Sequence, residues 1–587
     1  MPALKVAVID RDSCRFDKCN HECQRFCPPQ ISGKKVVVFG EDGYPVIDEV
    51  LCIGCGICEK KCPYEAIRIV NLPTEYGKDR VHQYGPNAFR LYRLPVLRKG
   101  NIVGVVGMNG IGKSTALKIL SGSLIPNLGR FDVEPNYEDV IKHFKGTTYA
   151  DYFRSLRDRE IRVSIKPQAI YEIPKAFRGT VRELIEKYSE GENPEIIREL
   201  EIHKIYDRLV SELSGGELQK VAVAVALTRR ADYYFLDEPS SYLDVYNRHA
   251  VARVVRRVAE RAGVLLVEHD LTFLDYASDY IHILYGEPAV YGIVSRPLSA
   301  SEGINELIKG EIRQENVRIR SYNIKFKMPD LSPAEESRVL FSIPSFRKSY
   351  PGFVLTVEGK DVKEGHIIGG LGPNGIGKTT FLKVLAGVEK DDENRVSLNL
   401  KISYKPQYLE VVEDVTVEQA LSRFDWNSQE NLSLLITPLR LEKLMQKSLS
   451  QLSGGELQKV AIATCLLQDA TLYALDEPSA FLDVEDRIAL SRIIPAYIKR
   501  KGKAGIVIDH DLMLVDLISD SIVIFTGTPN VSGMAVGPLG KREAMNEFLK
   551  SMGLTYRRDE ETGRPRVNKP GSKLDREQKE KGEYYYV

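Results

Sequence analysis

Two short apolar runs in the chain are each followed by the same pattern of glycine and polar positions. The runs are NIVGVV at 101–106 and HIIGGL at 366–371, and each precedes a glycine-rich segment and an amphipathic stretch. A short apolar run predicts a buried strand, and an apolar repeat at helical spacing predicts a helix packed on one face. The first residues, MPALKVAVIDRDSC, predict a further strand rather than a signal peptide. The pattern is typical of an α/β protein.

The glycine-rich segment after each strand fits the phosphate-loop pattern G-x-x-x-x-G-K-[ST]. The two copies are GMNGIGKS at 107–114 and GPNGIGKT at 372–379. Backbone N–H groups and the helix N-terminus hold phosphates in such a loop. The lysine is expected to neutralise the β- and γ-phosphates, and the hydroxyl residue after it to bind Mg²⁺. The nucleotide-binding residues predicted in the two loops are Gly107, Asn109, Gly110, Gly112, Lys113, Ser114 and Thr115, then Gly372, Asn374, Gly375, Gly377, Lys378, Thr379 and Thr380.

Downstream of each loop, a KPQ segment, an LSGGELQKVA segment, an LDEPS segment and a histidine recur at matched positions. The glutamine of KPQ precedes the serine of LSGGE by 46 residues in both halves (168 to 214, 407 to 453), and that serine precedes the aspartate of LDEPS by 23 (214 to 237, 453 to 476). Such shared spacing indicates a duplication. Asp237 and Asp476 are expected behind the magnesium ion. The glutamates that follow them, Glu238 and Glu477, are expected to orient or deprotonate the attacking water.

Eight of the nine cysteines lie within the first 62 residues, in two runs of four. The runs are Cys14, Cys19, Cys23 and Cys27, then Cys52, Cys55, Cys58 and Cys62. The second run has the C-x2-C-x2-C-x3-C-P spacing of ferredoxins, and the first departs from it. In two-cluster ferredoxins the fourth cysteine of each run binds the other cluster. That resemblance implies that Cys27 joins the second run and Cys62 the first. Zinc remains an alternative, and thiols at ligand spacing favour a metal over disulfides.

The ninth cysteine, Cys465, lies in the apolar stretch VAIATCLLQ and is expected to be a core residue.

The repeated motifs resemble those of the ATP-binding-cassette (ABC) family, in order and twice, from about residue 76 to residue 530. With the cysteine segment in front, the whole chain is similar to subfamily E, the ribosome-recycling or RNase L inhibitor family. The resemblance implies two ABC-type P-loop nucleotide-binding domains in tandem, preceded by a ferredoxin-like α+β iron–sulfur domain. It also implies two 4Fe-4S clusters, ATP and Mg²⁺ as cofactors, and hydrolysis of ATP to ADP and phosphate.

Further residue roles are implied by the same resemblance. Gln168 and Gln407 would sense Mg²⁺ and the water, and His269 and His510 would contact the γ-phosphate. In this family the LSGGE segment, called the signature, of one cassette closes over the nucleotide of the other. Ser214, Gly215 and Gly216 would thus complete the site of Lys378, and Ser453, Gly454 and Gly455 the site of Lys113. The family's adenine-stacking aromatics correspond to Tyr84 and Phe89 before the first loop and Tyr350 and Phe353 before the second, although tyrosine before a strand is also commonly a packing residue.

The two halves differ by about 26 residues between the lysine and the glutamine (113 to 168 against 378 to 407). The extra segment, about 137–161, predicts two helices around a Lys-Gly-Thr turn, and in the family it contacts the small ribosomal subunit. Its aromatic residues are expected to stack on RNA bases and its cations to bind RNA phosphates, with surface decoration as the alternative. These residues are Tyr149, Tyr152 and Phe153, and Lys142, Lys145, Arg154 and Arg157. The predicted domains are 1–72 (iron–sulfur), 73–290 and 326–530 (cassettes), 291–325 (an Arg-rich hinge) and 531–587 (a second hinge element and a tail whose last dozen residues are expected to be disordered).

The amino-acid composition restricts the possible functions but does not identify one. Basic and acidic residues nearly balance, 82 against 81 with a net charge of +1, so nucleic-acid contact would need local basic patches. No apolar run reaches 18 residues, which predicts no membrane span, and the expected location is cytoplasmic. The cations around the cysteines, such as Arg25 and Lys60, either face RNA or solvate the surface.

The resulting hypothesis is an ATP-driven ribosome recycling factor that splits ribosomes and stays on the small subunit. Its expected partners are the small subunit and its rRNA, with a release factor or Pelota-type factor, and no membrane. The chain is expected to be a monomer whose cassettes pair within it. The alternatives are the ATPase subunit of a membrane transporter, for which a ferredoxin domain has no clear use, and an ATP-gated electron carrier, which would need a redox partner.

Overall fold

The computed structural model describes residues 4–11, 13–49, 51–72, 79–190, 193–324, 326, 338–394, 396, 398, 400–409, 411 and 414–585. The strands predicted at the N-terminus and before each phosphate loop are confirmed. Within the described ranges, no helix has the length and apolar character needed to cross a bilayer.

The N-terminal domain is a small α+β unit. Its strands are β1 (Leu4–Ile9), β2 (Val37–Phe39), β3 (Pro45–Ile47) and β4 (Ile67–Leu72), and its helices are α1 (Glu22–Arg25), α2 (Pro28–Ile31) and α3 (Ile57–Lys61). Strands β1 and β4 pair antiparallel, as do β2 and β3. Its core contains few apolar side chains, with Cys23 and Cys58 buried among them. A domain with so small a core needs cross-links such as metal centres for its stability.

The first cassette is built on a mixed sheet. Its strands are β5 (Arg80–Gln83), β6 (Arg90–Tyr92), β7 (Ile102–Gly107), β8 (Val163–Lys166), β9 (Tyr233–Asp237), β10 (Gly263–Val267), β11 (Tyr280–Glu287), β12 (Tyr291–Val294) and β13 (Leu298–Ser299). Their order is β5-β6-β12-β11-β7-β10-β9-β8, with β13 on β11. Strands β8, β9, β10, β7 and β11 run parallel. Their carboxyl ends therefore meet at one edge, where open α/β sheets bind ligands.

Among the described residues of the first cassette, ten α-helices surround or extend from this sheet. They are α4 (Lys113–Leu120), α5 (Tyr137–His143), α6 (Thr148–Arg157), α7 (Ile173–Ala176), α8 (Val181–Tyr188), α9 (Pro194–Glu199), α10 (Gly215–Thr228), α11 (Val245–Ala259), α12 (Leu271–Ala277) and α13 (Ala300–Lys309). Helices α5 and α6 confirm the helix–turn–helix that was predicted for the extra segment.

The hinge is shorter than predicted. Residues 291–309 contain β12, β13 and α13, and both strands pair with the first sheet, so the cassette does not end at residue 290. After α13, the strands β14 (Glu311–Ile312) and β15 (Val317–Arg318) form a short hairpin that leads toward the second cassette. The predicted start of the second cassette at residue 326 lies between residue 325 and residues 327–337, which are outside the described residues.

The second cassette repeats the sheet of the first. Its strands are β16 (Val339–Ser342), β17 (Phe346–Tyr350), β18 (Phe353–Gly359), β19 (Asp361–Lys363), β20 (Ile367–Leu371), β21 (Ile402–Lys405), β22 (Leu472–Asp476), β23 (Ala504–Ile508), β24 (Ser521–Thr528) and β25 (Ser532–Gly540). The order β17-β18-β25-β24-β20-β23-β22-β21 matches that of the first cassette, and β16 pairs with β19 separately. The duplication seen in the motifs thus extends to the topology.

The helices of the second cassette are α14 (Lys378–Leu385), α15 (Val417–Leu421), α16 (Gln429–Asn431), α17 (Gly454–Leu467), α18 (Val484–Arg500), α19 (Leu512–Ile518) and α20 (Lys541–Met552). Strand β25 lies in the sheet, so this cassette extends beyond the predicted boundary at 530. One buried apolar cluster continues from the first cassette to Val484, Leu512 and Phe548 of the second, so the cassettes pack directly against each other.

The C-terminal segment contacts both cassettes. It consists of β26 (Tyr556–Arg558), β27 (Pro565–Val567) and α21 (Lys573–Lys581). Arg564 pairs with Asp275 of α12 at 3.0 Å, and Arg558 pairs with Asp516 of α19 at 2.9 Å. The expected disorder of the last dozen residues is wrong as far as residue 585, because α21 is ordered and the Tyr585 side chain is buried.

Candidate ATP sites and iron–sulfur centres

The first phosphate loop connects the end of β7 to the start of α4. Gly110 and Gly112 have φ angles of 72° and 99°, a conformation that side chains rarely adopt. Lys113 Nζ donates hydrogen bonds to the carbonyl oxygens of Gly107 (2.9 Å) and Met108 (2.7 Å). Burial lowers the pKa of Lys113 to about 8, although nearby carboxylates oppose this. A buried ammonium beside a helix N-terminus suits a phosphate ligand.

The second phosphate loop has the same geometry between β20 and α14. Gly375 and Gly377 have φ angles of 69° and 98°. Lys378 Nζ donates to the carbonyl oxygens of Gly372 (2.9 Å) and Pro373 (2.7 Å). Burial again lowers the pKa of the lysine, against the effect of nearby carboxylates. Both loops therefore place a buried lysine ammonium at a helix N-terminus.

An aspartate at the end of β9 or β22 faces each phosphate loop. Ser114 Oγ donates a hydrogen bond to Asp237 Oδ2 at 3.2 Å, whereas Asp237 Oδ1 is buried without a hydrogen-bond partner. Both carboxylate oxygens of Asp476 are buried without a partner as well. Burial and the adjacent Glu477 raise the pKa of Asp476 to about 6. Orphaned carboxylate oxygens beside a hydroxyl residue fit a hydrated Mg²⁺ ion, which would supply their missing partners.

Glu238 and Glu477 hold an unusual backbone conformation directly after these aspartates. Their φ angles are 49° and 47°, in the left-handed region that non-glycine residues occupy at a cost of about 1–3 kcal/mol. Gln168 Nε2 donates to Glu238 Oε1 at 2.6 Å, and Gln407 Nε2 donates to Glu477 Oε1 at 2.8 Å. The structure thus brings the predicted glutamine and glutamate together in both cassettes.

The two histidines are not equivalent. His510 Nε2 lies 3.1 Å from Glu477 Oε1, within hydrogen-bond distance. His269 Nε2 lies 3.6 Å from Glu238 Oε1, and both of its ring nitrogens are buried without a partner. Burial lowers the pKa of His269 well below its ordinary value. Burial is the largest single effect on Glu477 and raises its pKa, but His510, Lys378 and Gln407 together outweigh it and lower the pKa to about 2. In the second site the glutamate therefore already contacts its histidine, whereas in the first site it does not.

Each phosphate loop is also contacted by an aspartate of the other cassette. Asp483 Oδ2 accepts a hydrogen bond from the Asn109 N–H at 2.8 Å, and Asp244 Oδ2 accepts one from the Asn374 N–H at 2.7 Å. Both aspartates cap the helix that follows LDEPS, α18 and α11. Sequence reasoning did not single out these two residues. The signal was available, because LDV recurs at the same offset after LDEPS in both halves.

The signature residues form tightly capped helix starts. Ser214 caps α10 and Ser453 caps α17, each with a reciprocal capping box to the glutamate three residues on. A Cβ on Gly216 would lie 3.0 Å from the Tyr242 carbonyl oxygen, a tight contact, and one on Gly455 would lie 2.8 Å from that of Phe481, which would force the backbone to shift. The closure of each signature over the opposite nucleotide stays a prediction.

The aromatic residues before each loop occupy two kinds of position. Tyr84 is half-exposed, with its hydroxyl 3.1 Å from Thr115 Oγ1 on α4. Phe89 packs behind the phosphate loop, where a Cβ on Gly112 would lie 2.7 Å from its ring. The second cassette repeats this arrangement, with Tyr350 partly exposed and Phe353 packed against Gly377. Tyr84 and Tyr350 therefore present the accessible rings.

Four thiols of the iron–sulfur domain surround one cavity. Cys27, Cys52, Cys55 and Cys58 line it together with apolar side chains that include Ile47 and Ile53. Burial and the three neighbouring thiols raise the pKa of Cys58 to about 11. Within the described ranges, no three His, Cys, Asp or Glu side chains converge at the distances of one bound metal ion. Four thiols around a space of this kind suit a 4Fe-4S cluster, whose positive iron ions would stabilise the thiolates.

The other four thiols form a second group. Burial, with Cys19, Cys62 and Cys14 as neighbours, raises the pKa of Cys23 to about 12. Cys62 thus lies with the first run and Cys27 with the second, as the ferredoxin resemblance implies. Cys465 is buried in the second cassette, where Ser403 Oγ donates to its sulfur at 3.2 Å, so it is the predicted core residue.

The iron–sulfur domain is attached to the loop between Tyr84 and Phe89. Asn87 is buried there, and its Nδ2 donates to the carbonyl oxygens of Ala7 (3.0 Å) and Ile47 (2.9 Å). Its Oδ1 accepts from the Ile47 N–H at 2.8 Å. Three buried hydrogen bonds from one amide thus join both strand pairs of the iron–sulfur domain to the first cassette. Three residues further on, the buried Arg90 forms an ion pair with Glu49, whose side chain is partly exposed.

The extra segment of the first cassette is only partly a surface element. Phe153 is fully buried, Tyr152 is buried with its hydroxyl bonded to Leu120 O, and Tyr149 Oη donates to Leu94 O at 2.7 Å. The prediction that these aromatic rings stack on RNA bases is wrong, because they form part of the cassette core. Lys142 and Lys145, around the turn, are exposed.

Comparison with known proteins identifies three matching family models. The model described as "ABC transporter" matches residues 96–241 and 359–480, "4Fe-4S binding domain" matches residues 45–68, and "Possible Fer4-like domain in RNase L inhibitor, RLI" matches residues 4–35. An uncharacterized ABC transporter ATP-binding protein of Methanocaldococcus jannaschii is 49% identical over 100% of this chain and 98% of its own length. Translation initiation factor RLI1 of Saccharomyces cerevisiae is 40% identical over 99% and 98%.

Solved structures agree over most of the chain. A structure described as a model of ribosome-bound archaeal Pelota and ABCE1 has a TM-score of 0.93 and 49% identity, and covers 100% of both chains. The crystal structure of the archaeal ribosomal stalk protein aP1 with the archaeal ribosome recycling factor aABCE1 has a TM-score of 0.84 and 50% identity, over 87% of this chain and 99% of that one. The predicted fold, the 4Fe-4S clusters and the ATPase activity with Mg²⁺ are confirmed. This chain is therefore a member of ABC subfamily E, the RNase L inhibitor family of twin-cassette ATPases with an iron–sulfur domain.

Proposed function

We propose that this chain is an ATP-driven ribosome recycling factor, which separates large and small ribosomal subunits after termination or stalling and stays on the small subunit. Its partners are then the small subunit with its rRNA, and a release factor or Pelota-type factor, in the cytoplasm. The chain would act as a monomer whose cassettes pair internally. Support comes from the solved relatives, one described as bound to the ribosome with Pelota and another as a ribosome recycling factor.

The observation that carries this proposal is the attachment at Asn87. The same six-residue loop holds the exposed Tyr84 ring at one end and, through the Asn87 amide, the iron–sulfur domain in its middle. The first phosphate loop is in turn bonded to Asp483 of the second cassette. Closure of the cassettes around ATP would thus be transmitted to the iron–sulfur domain through residues next to the nucleotide.

The residues of each ATP site have complementary roles in this cycle. Lys113 and Lys378 hold the phosphates, and Glu238 and Glu477 take the proton of the attacking water or orient it. Mg²⁺, when bound, neutralises phosphate charge beside Asp237 and Asp476, with Ser114, Thr379, Gln168 and Gln407 as ligands or close neighbours. Tyr84 and Tyr350 stack on adenine, supported by Phe89 and Phe353. His269 and His510 contact the γ-phosphate, and the signatures Ser214–Gly216 and Ser453–Gly455 complete the opposite sites.

In the iron–sulfur domain, Cys27, Cys52, Cys55 and Cys58 would bind one cluster, and Cys14, Cys19, Cys23 and Cys62 the other. We assign the clusters a structural role, because they cross-link a domain with a small apolar core. A stiff domain is what a lever between ribosomal subunits requires.

Subunit separation tests the function directly. Ribosomes mixed with the protein, a Pelota-type factor and ATP are expected to sediment as separate subunits, with the protein on the small subunit when a non-hydrolysable ATP analogue is present. Intact ribosomes under all nucleotide conditions would contradict the proposal and return the transporter ATPase to consideration. Asn87→Gly is expected to lower splitting while ATP hydrolysis without ribosomes is retained, because glycine tolerates the φ of 55° and removes the three hydrogen bonds.

The control for that variant is Asn316→Gly in the exposed hinge turn, where asparagine also has a positive φ of 51°. It makes the same chemical change away from the iron–sulfur domain and should leave splitting unchanged. Equal splitting by Asn87→Gly and the unmodified protein would show that the attachment does not transmit closure.

A separate prediction concerns the exposed turn of the extra segment. Lys142→Glu with Lys145→Glu is expected to weaken binding to the isolated small subunit, because two contacts to rRNA phosphates would be lost. The salt dependence should also become less steep, by about 0.7–0.9 in the log–log slope per lost contact. The measurement is sedimentation with the isolated small subunit in the presence of a non-hydrolysable ATP analogue. Lys401→Glu, at an exposed site of the second cassette, is the control.

Deleting the whole segment is a poor test, because it would remove Phe153 from the core. Unaltered affinity and slope in the double variant would leave the segment as surface decoration.

A further inference from the structure

Arg320, in the hinge, is a buried guanidinium that joins the two cassettes. Only 8% of the residue is exposed. Its Nη2 donates to the carbonyl oxygens of Leu307 (2.8 Å) and Ile308 (2.6 Å), at the C-terminal end of α13 in the first cassette. Its Nη1 donates to both carboxylate oxygens of Glu485, each at 2.9 Å, in the first turn of α18 in the second cassette. Cations suit the C-terminal end of a helix, and a buried carboxylate provides the opposite charge.

Glu485 lies two residues after Asp483, the residue that contacts the first phosphate loop. Asp483 caps α18 through its Oδ1, which accepts from the Asp486 N–H at 2.9 Å, and its Oδ2 accepts from Asn109 N–H. The first turn of α18 is therefore fixed on one side by the hinge and on the other by the first ATP site. A displacement of Glu485 must move Asp483, because both belong to one helical turn.

The other ATP site has a weaker counterpart at the same offset. Tyr246 lies two residues after Asp244, which contacts the second phosphate loop. The Tyr246 hydroxyl is 2.7 Å from Ser551 Oγ on α20, which follows the second sheet as α13 follows the first. This exposed, uncharged contact takes the place of the buried ion pair. The two ATP sites are therefore connected to the interdomain elements unequally.

We propose that Arg320 is a positioning residue for the first ATP site. Through Glu485 it sets the first turn of α18, and it thereby places Asp483 against the phosphate loop that contains Lys113. The second ATP site depends on Arg320 much less, since its aspartate belongs to α11. The inference concerns ATP hydrolysis alone and does not depend on the proposed action on ribosomes.

The test is single-turnover ATP hydrolysis by Arg320→Met in two backgrounds of the full chain. In the Glu477→Gln background, hydrolysis at the second site is slowed, so the measured rate is mainly that of the first site. Arg320→Met is expected to lower this rate by about 10- to 100-fold, the size of effect that a misplaced positioning group causes. In Glu238→Gln, which reports mainly the second site, the same change is expected to alter the rate by less than about twofold. A residue needed only for folding would slow both sites equally.

Two further variants keep the test decisive if Arg320→Met folds poorly. Glu485→Gln preserves the shape of the carboxylate and removes its charge, so it should slow the first site selectively as well. Tyr246→Phe removes only the hydroxyl that contacts Ser551, and it should affect the second site, by a smaller factor. Arg320→Lys, which keeps the charge, should restore part of the first-site rate. Equal slowing of both sites, or no slowing of the first site by either Arg320→Met or Glu485→Gln, would overturn the proposal.

Discussion

Glu477→Gln is expected to slow ATP hydrolysis at the second site by about 10²–10⁴-fold, the range for loss of a positioned general base. Glutamine keeps the shape of the side chain but removes the charge that His510 and Gln407 now contact. ATP binding should be retained, because Lys378 and the Asp244–Asn374 contact are unchanged. The measurement is single-turnover hydrolysis together with nucleotide binding at equilibrium.

The matched change in the first cassette is Glu238→Gln. Its effect on the overall rate is expected to differ from that of Glu477→Gln, because His269 is 3.6 Å from its glutamate and His510 is 3.1 Å from its own. The double variant should bind ATP and accumulate in the closed state, which a distance probe across the cassettes would detect. Normal turnover by the double variant would show that neither glutamate is the base.

The second large effect is expected from Cys55→Ser. Anaerobically purified protein should contain about eight iron atoms and about eight acid-labile sulfides for its two clusters. Cys55→Ser removes one thiol from the cavity that Cys27, Cys52 and Cys58 also line, so iron and sulfide should fall to about half. Ribosome splitting should be lost, while nucleotide binding at Lys113 and Lys378 should persist because the cassettes have their own cores.

Cys465→Ser is the control for this variant, because it alters a buried thiol that belongs to neither group. Its iron and sulfide content should equal that of the unmodified protein. Stoichiometric zinc without labile sulfide in the unmodified protein would contradict the cluster assignment. Full splitting by a Cys55→Ser protein that has lost iron would instead contradict the lever role of the domain.

Local motifs allowed much of the ATP sites to be predicted from the sequence. A phosphate loop needs glycine where φ is positive and lysine where a buried cation is required, so Gly112 and Lys113 are identifiable without a structure. The apolar runs before the loops predicted β7 and β20 because central parallel strands are buried on both faces. The eight thiols were predicted from spacing, and their division into two groups came from the ferredoxin resemblance.

The residues that were missed or misassigned depend on tertiary contacts. Asp244 and Asp483 cap their own helices, a common local role, and only the packing of one cassette on the other shows that each also binds a phosphate loop. Tyr149, Tyr152 and Phe153 recur at the i, i+3, i+4 spacing of a buried helix face, so a signal was available, but the cations on the same helix favoured the RNA interpretation. Tyr585 is buried and its hydroxyl donates a hydrogen bond to Asp516, which is far away in the sequence. The charged composition around Tyr585 therefore gives no indication of its burial.

The reciprocal contacts of Asp244 and Asp483 have a thermodynamic consequence. Each aspartate follows the glutamate of its own site by six residues and binds the phosphate loop of the other site. The free energy of nucleotide binding at one site is therefore coupled to that at the other. Linkage requires this coupling to be mutual. If ATP at the first site changes the affinity of the second site for ATP by some factor, ATP at the second site changes the affinity of the first site by the same factor. The rates of hydrolysis carry no such requirement, so two sites that hydrolyse ATP at different speeds must still share one coupling energy for its binding.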